Sequence, residues 1–292
     1  MKKWSAKIIV AVVAVIVVAT GVYGVLFWGP YRMVQNQRLS GTLVGNREFS
    51  GTVTVTGDTT VVGNARFLPG TKVQFVVGDD QGGGDEVPPD GFLDNDPARL
   101  FSYSQTHARF VVLGRLEARG LQDNPILFTS ASPTPHLADW EAFYFYGDGS
   151  TIDHAVFEYS RNGMNPLGSQ PHSVARNSVF RHNLWSGPSL SSSSMTLEHS
   201  DISDAGHEGV DVQGGAAVIR DNFIHDTHSG IVVVAGTATI ENNRMVNTSA
   251  GISAGPGVTL EREQNNTVEL APATSTLEWR YGDWVYRMYG DH

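Results

Sequence analysis

The chain has 292 residues, 40% of them hydrophobic, with 30 acidic against 20 basic side chains and a formal charge of −10. That length can bury a large core, as one long domain or two smaller ones. The absence of cysteine excludes disulfides, thiol catalysis, cysteine metal sites and lipoprotein-type acylation together. Thirty-two glycines, with lysine only at positions 2, 3, 7 and 72, suit turns and tight stacking better than helical bundles.

Residues 1–7 carry Lys2, Lys3 and Lys7 and no acid, and Ile8 to Trp28 is an uncharged run of 21 residues. As a helix that run spans roughly 31 Å, the thickness of a bilayer core, so 8–28 is expected to be a transmembrane helix. The competing reading is a cleaved signal peptide, against which stand the length of the run and the lack of a clear Ala-x-Ala site after it. The three preceding lysines, with Trp4, Tyr23, Trp28 and Tyr31 near the two ends, place 1–7 in the cytoplasm and the remainder outside, periplasmic or extracellular. Thr20 and Gly24 form a small-xxx-small pair through which another membrane helix could approach. Without Lys2, Lys3 and Lys7 the rest holds 17 basic against 30 acidic side chains, a charge of −13. Such a surface repels nucleic acid and anionic headgroups, and it repels polyuronates unless calcium or a basic groove intervenes.

Residues 29–40 read as a short polar linker, and a β-domain is expected over 41–270. GTVTVTGDTTVVGNARFLPGTKVQFVV, Gly51 to Val77, alternates apolar and polar residues between Gly and Pro-Gly breaks, as strands and turns do. An insertion over 78–100 then brings seven acids: Asp79, Asp80, Asp85, Glu86, Asp90, Asp94 and Asp96. Oxygen ligands this dense on a glycine-rich backbone could wrap calcium, although the spacing matches neither the EF-hand loop nor the calcium nonapeptide. No other cofactor is expected.

From Ile152 onward the chain repeats itself. Leu197, Ile219 and Ile240 recur at steps of 22 and 21 residues, and Ile152, Val174 and Leu260 extend the series. A second apolar column runs through Phe157, Val179, Ile202, Ile224 and Met245, a third through Val210, Ile231 and Ile252, and a polar one through Asn177, Ser200, Asn222 and Asn243. A period near 22 with three short strands is one coil of a parallel β-helix, in which stacking buries the apolar columns and lets the Asn column hydrogen-bond along the stack.

These blocks resemble the right-handed parallel β-helix repeats of the pectate-lyase-like superfamily. The phrase G-x-L-x-A-x-G, then P-I-x-F-T-S, then Trp is similar to early coils of exported β-helix proteins. Here it is carried by Gly114, Leu116, Ala118, Gly120, Pro125, Ile126, Phe128, Thr129, Ser130 and Trp140. The resemblance implies an all-β right-handed parallel solenoid over roughly residues 50 to 265 and names no single activity. It implies that an enzyme of this kind would act on acidic polysaccharide, a lyase with calcium and an Arg or Lys base, a hydrolase with Asp residues on neighbouring coils.

Seven positions after the anchor come Tyr159, Arg181, Asp204, Asp226 and Asn247, so Asp204 and Asp226 are candidate catalytic neighbours, with His207, Glu208, Asp211 and His228 close in sequence. Two after it come His154, Arg176, His199, Asp221 and Asn242, an ordinary solvated face. Asp and Asn also recur before Ser-Gly, Ala-Gly or Glu-Gly turns because their side chains bond turn backbone, and Asn247 fills the same slot without an ionisable group. Residues 271–292 end in Trp279, Tyr281, Trp284, Tyr286 and Tyr289, an aromatic cap or a docking surface for a partner. The expected function is a membrane-anchored, non-catalytic scaffold, binding or accessory subunit of an assembly of membrane-protein subunits. The rivals are a carbohydrate-active lyase, epimerase or hydrolase using Asp204, Asp226 and the histidines, and a calcium-dependent adhesin.

Overall fold

The structure, a computed structural model, describes residues 21–24, 26–78, 107–191, 193–272, 276–281 and 284–289. Twenty-five strands join one hydrogen-bonded network in which the pairings run parallel, and a separate antiparallel pair, β26 (Thr276–Tyr281) with β27 (Trp284–Tyr289), follows it. The network is a solenoid with three faces. On the first face β1 (Arg32–Gln35) pairs with β3 (Arg47–Ser50), and the stacking continues to the end of β21 (Ser229–Glu241) and to β24 (Thr259–Gln264). The second face begins with the first residues of β2 (Arg38–Val44) and ends at β25 (Thr267–Leu270); the third begins with the rest of β2 and ends at β23 (Ala250–Ala254).

Strand alternation drives this arrangement. Along β4 (Thr52–Val62) every second residue is buried and its neighbours stay partly accessible, the period-2 signature of a sheet with one packed face. The early coils fill their interior with stacked rings: Phe49 on Phe67 at 4.6 Å, Phe128 on Phe157 at 4.4 Å and Phe75 on Trp140 at 4.0 Å. Later coils use Leu197, Ile219, Ile240, Ile202, Ile224 and Met245, all fully buried. Ring stacking adds to the area term in these early coils.

Two corners of each coil take a left-handed backbone. Between the first and second faces lie His154, Asn177, His199, Asp221, Asn242 and Asn265, and between the second and third lie Tyr159, His182, Asp204, Asp226 and Asn247. Asn and Asp tolerate this conformation because their short polar side chains bond locally, and the columns are accordingly rich in them. The polar ladder inside the first corner is Ser178, Ser200, Asn222, Asn243 and Asn266: each backbone N–H donates to the next side chain up the stack, at 2.9 to 3.3 Å.

The coil at Val174 differs from expectation by one residue. Ala175 pairs with Ile152 and Leu197, and Phe180 pairs with Phe157 and Ile202. Val174 and Val179 are therefore turned out of those columns, and Asn177, Arg176 and Arg181 yield their places to Ser178, Asn177 and His182. The step from Ile152 is one residue longer than the next, and a one-residue slip sends a side chain to the opposite face. Leu260 pairs with Ala238, because a register shift after it places Glu263 opposite Ile240. A charged residue thus ends the core column.

The range 29–40 contains β1 and the start of β2, so the first coil begins directly after the short helical turn at 21–24 and 26–27. The remainder of the 8–28 run lies outside the described residues, as does Thr20; Gly24 lies in that turn. Among the described residues no helix is long and apolar enough to cross a membrane. The calcium candidates Asp79, Asp80, Asp85, Asp90, Asp94 and Asp96 lie outside the described residues too. Of the tail, residues 271–272 and the backbone of β26 and β27 are described, and the side chains of Trp279, Tyr281, Trp284, Tyr286 and Tyr289 lie outside the described residues.

Candidate functional site

A glycine column positions the site. Gly163, Gly187, Gly209 and Gly230 open the third-face strands of four successive coils, β13 (Ser160–Pro166), β16 (Ser186–Leu190), β19 (Glu208–Arg220) and β21. A Cβ at Gly187 would lie 2.7 Å from Phe180, and one at Gly209 would lie 2.5 Å from Ile224. Only a residue without a side chain lets this face close onto the second-face core there.

The residues flanking that column point the other way and stack. One before the glycine come Asn162, Ser186, Glu208 and Ser229, paired in register from coil to coil. Two before it come Arg161, Trp185, His207 and His228: the Arg161 guanidinium sits 4.4 Å from the centre of the Trp185 ring, Trp185 meets His207 edge-on at 6.2 Å, and His207 lies 5.8 Å from His228. Two after it come Asn165, Ser189 and Asp211, with Tyr144 of β10 (Trp140–Phe145) opposite Asn165. Tyr144, Arg161, Asn162, Asn165, Trp185, Ser189, Glu208, Asp211, Gln213 and Val234 line a cleft of about 350 Å³.

Two carboxylates, Glu208 and Asp211, are among its lining residues. Asp211 is only 3% exposed; its Oδ2 accepts from Ser189 Oγ at 3.2 Å and from Gln213 Nε2. Burial first, and the negative charge of Glu208 second, push its carboxyl up to about 7 against the opposing hydrogen bonds. Glu208 is bonded through Oε1 to His207 Nδ1. Behind them Tyr144 donates to Glu141 at 3.0 Å; burial raises both groups, countered at Glu141 by Arg109 and Arg161. Asp211 Oδ1, Glu208 Oε2, Glu141 Oε2 and Asn165 Oδ1 are buried acceptors with no hydrogen-bond partner among the described residues. Such atoms cost stability, so a cluster of them calls for a bound donor.

The structure separates the sequence candidates into two places. Asp211, His207 and His228 belong to the cleft face. Asp204 and Asp226 lie at the corner before it, with side chains 47% and 41% exposed. Asp204 faces His182 at 3.5 Å, and Asp226 bonds His225 and Asn247; at Asp226 burial is outweighed by these bonds, which hold its carboxyl below the ordinary range. Glu141, Tyr144, Arg161, Trp185 and Ser189 were not among the sequence candidates. Aligning the coils on their glycines rather than on the Leu/Ile anchors would have placed all but Glu141 and Tyr144 in columns. Among the described residues no group of three His, Asp or Glu side chains could hold a metal ion.

Residues 138–270 match a protein family described as "Right handed beta helix region". No curated protein and no solved structure matches the chain. The match covers the coils that carry most of the cleft, and together with the parallel stacking it supports a right-handed β-helix repeat protein.

Proposed function

We propose that this solenoid is a glycoside hydrolase acting on a hydroxyl-rich, uncharged glycan bound on its third face. The observation that carries the reading is one cleft in which partnerless buried oxygens of Glu208 and Asn165 lie beside Asp211, whose partnerless Oδ1 is the atom left to carry a proton. Sugar hydroxyls are donors that fit such acceptors, whereas a polyuronate would bring further negative charge to them. Trp185 offers an apolar ring to a sugar face. Elimination needs a substrate carboxylate neutralised by cations, and among the described residues the one arginine or lysine lining the cleft, Arg161, is stacked on Trp185. Hydrolysis instead uses one protonated and one ionised carboxyl. Asp211, pushed up to about 7, protonates the glycosidic oxygen, and Glu208, oriented by His207, acts as base or nucleophile.

The scaffold role expected from sequence rested on the membrane run, the short linker, the aromatic tail and the lack of a convincing active site, and the cleft on the third face is what supports a hydrolase instead. Membrane placement by the 8–28 run remains part of this proposal, supported by its uncharged length and by the first coil beginning at Arg32. The test is turnover of a panel of neutral, amino and uronic polysaccharides followed by new reducing ends. Activity on a neutral glycan that vanishes in Glu208→Gln and Asp211→Asn supports the reading. Unsaturated products from a uronate, or turnover surviving both substitutions, would overturn it.

A further inference from the structure

Charge is segregated along this chain. Residues 1–47 contain Lys2, Lys3, Lys7, Arg32, Arg38 and Arg47 and no carboxylate, within a protein of charge −10. Arg32, Arg38 and Arg47 all fall on the first two rungs of the solenoid. Arg32 pairs directly opposite Arg47, which sets like charges side by side, and burial followed by the charge of Arg32 lowers the Arg47 guanidinium. Further along, Arg66, Arg109, Arg115, Arg176, Arg181, Arg220 and Arg262 each lie within 4.0 Å of a carboxylate, while Arg119 bonds Thr151 and Arg244 covers the Phe223 ring. No such ion pair reaches Arg32, Arg38 or Arg47 among the described residues.

The same end is fixed to the helical turn. Asn46, itself buried, donates from Nδ2 to the Gly29 carbonyl at 2.6 Å, and Asn64 donates to the Phe27 carbonyl at 2.7 Å. These bonds satisfy carbonyls left open at a helix C-terminus and join the turn to the solenoid base without a flexible spacer. Trp28, 84% exposed, and Met33, 52% exposed, project beside the arginines. Cations and an aromatic ring at one level match the headgroup zone of a bilayer.

We propose that the first coil is a docking surface for anionic lipid headgroups, whose phosphates neutralise Arg32 and Arg38 while Trp28 sits at the interface. The proposal rests on the membrane placement given above. Attraction at the base and repulsion of the acidic walls hold the solenoid upright, which sets the cleft strands roughly 20 to 30 Å above the first coil at about 4.8 Å per rung. The enzyme would then work on polymer at a fixed height over the membrane.

Because the chain has no cysteine, Gln35→Cys in the full-length protein gives a unique site for a nitroxide on the exposed first strand. Collision with a headgroup-tethered nickel chelate is read in vesicles of phosphatidylcholine alone and of phosphatidylcholine mixed with phosphatidylglycerol. Collision should rise in the mixed vesicles, and Arg32→Glu with Arg38→Glu should lower the docked population by roughly tenfold or more. A label at Asn265→Cys, on the far end, should not respond. Equal collision in both lipids, an unchanged signal after charge reversal, or the same response to inorganic phosphate over phosphatidylcholine overturns the proposal. An alkaline carbonate wash tests insertion separately. If the chain washes off, flotation with the mixed vesicles that is lost on charge reversal still supports the docking surface, and absence of flotation refutes it.

Discussion

Asp211→Asn tests the site through stability as well as through turnover. The ordinary aspartate value is 3.8, and folding raises Asp211 to about 7. Between these values the folded protein holds a proton that the unfolded chain has released, so stability falls as pH rises through the window and levels off above about 7. At 1.36 kcal/mol per pH unit the full cost is roughly 4 kcal/mol at most. Asparagine cannot ionise, and its Oδ1 can still accept from Ser189 and Gln213, so the variant escapes the cost. The expected result is near-equal melting of wild type and variant near pH 4, with the variant gaining up to roughly 10 °C above pH 7. Turnover should fall by about two to four orders of magnitude. Glu208→Gln removes the neighbouring negative charge and should move downward the pH at which stability levels off, read from melting temperature against pH. A melting difference that stays flat with pH would refute the assigned burial of Asp211, and retained turnover would refute its role.

Trp185→Ala removes the ring beneath Arg161 and is expected to weaken glycan binding roughly tenfold or more with little change in melting, measured by calorimetric titration; undiminished affinity would move the sugar elsewhere. Asn243→Ala leaves the Ile219 carbonyl and the Asn222 backbone N–H without the partners Asn243 supplies in a buried ladder, while the Asn222 amide keeps the Leu197 carbonyl. At about 1 to 3 kcal/mol per group it should cost roughly 3 to 5 kcal/mol in urea unfolding, whereas Asn243→Ser, which mimics Ser200 in the same column, should cost less. Asp204→Asn and Asp226→Asn keep side chains that accept the left-handed corner, so turnover and stability should hold within about 0.5 kcal/mol. Lost turnover would return these two carboxylates to the catalytic site.

How much was legible in the sequence varies with the column. The chain by itself determined the solenoid: the 21- and 22-residue steps from Leu197 to Ile240, the Asn222 and Asn243 ladder, and the alternation along Thr52–Val62 follow from local pattern, because each coil repeats the same burial problem. It also carried the segregation of charge, since six cations precede the first acid. Apolar periodicity could not settle the coil at Val174, where Val174 and Ala175, or Val179 and Phe180, compete for one slot; ring stacking on Phe157 and the Ser178 to Ser200 bond decided it. The cleft was the least legible part. Its members come from successive coils, and their polar columns show no hydrophobic signature. Asp204 and Asp226 drew notice as stacked acids, yet their backbone sits at a corner, while Glu208 and Asp211 face one cleft because the glycine column closes the third face onto the core. Coil register and that close approach are tertiary properties, and they alone determined that Asp211 loses its water and gains an unusual proton affinity.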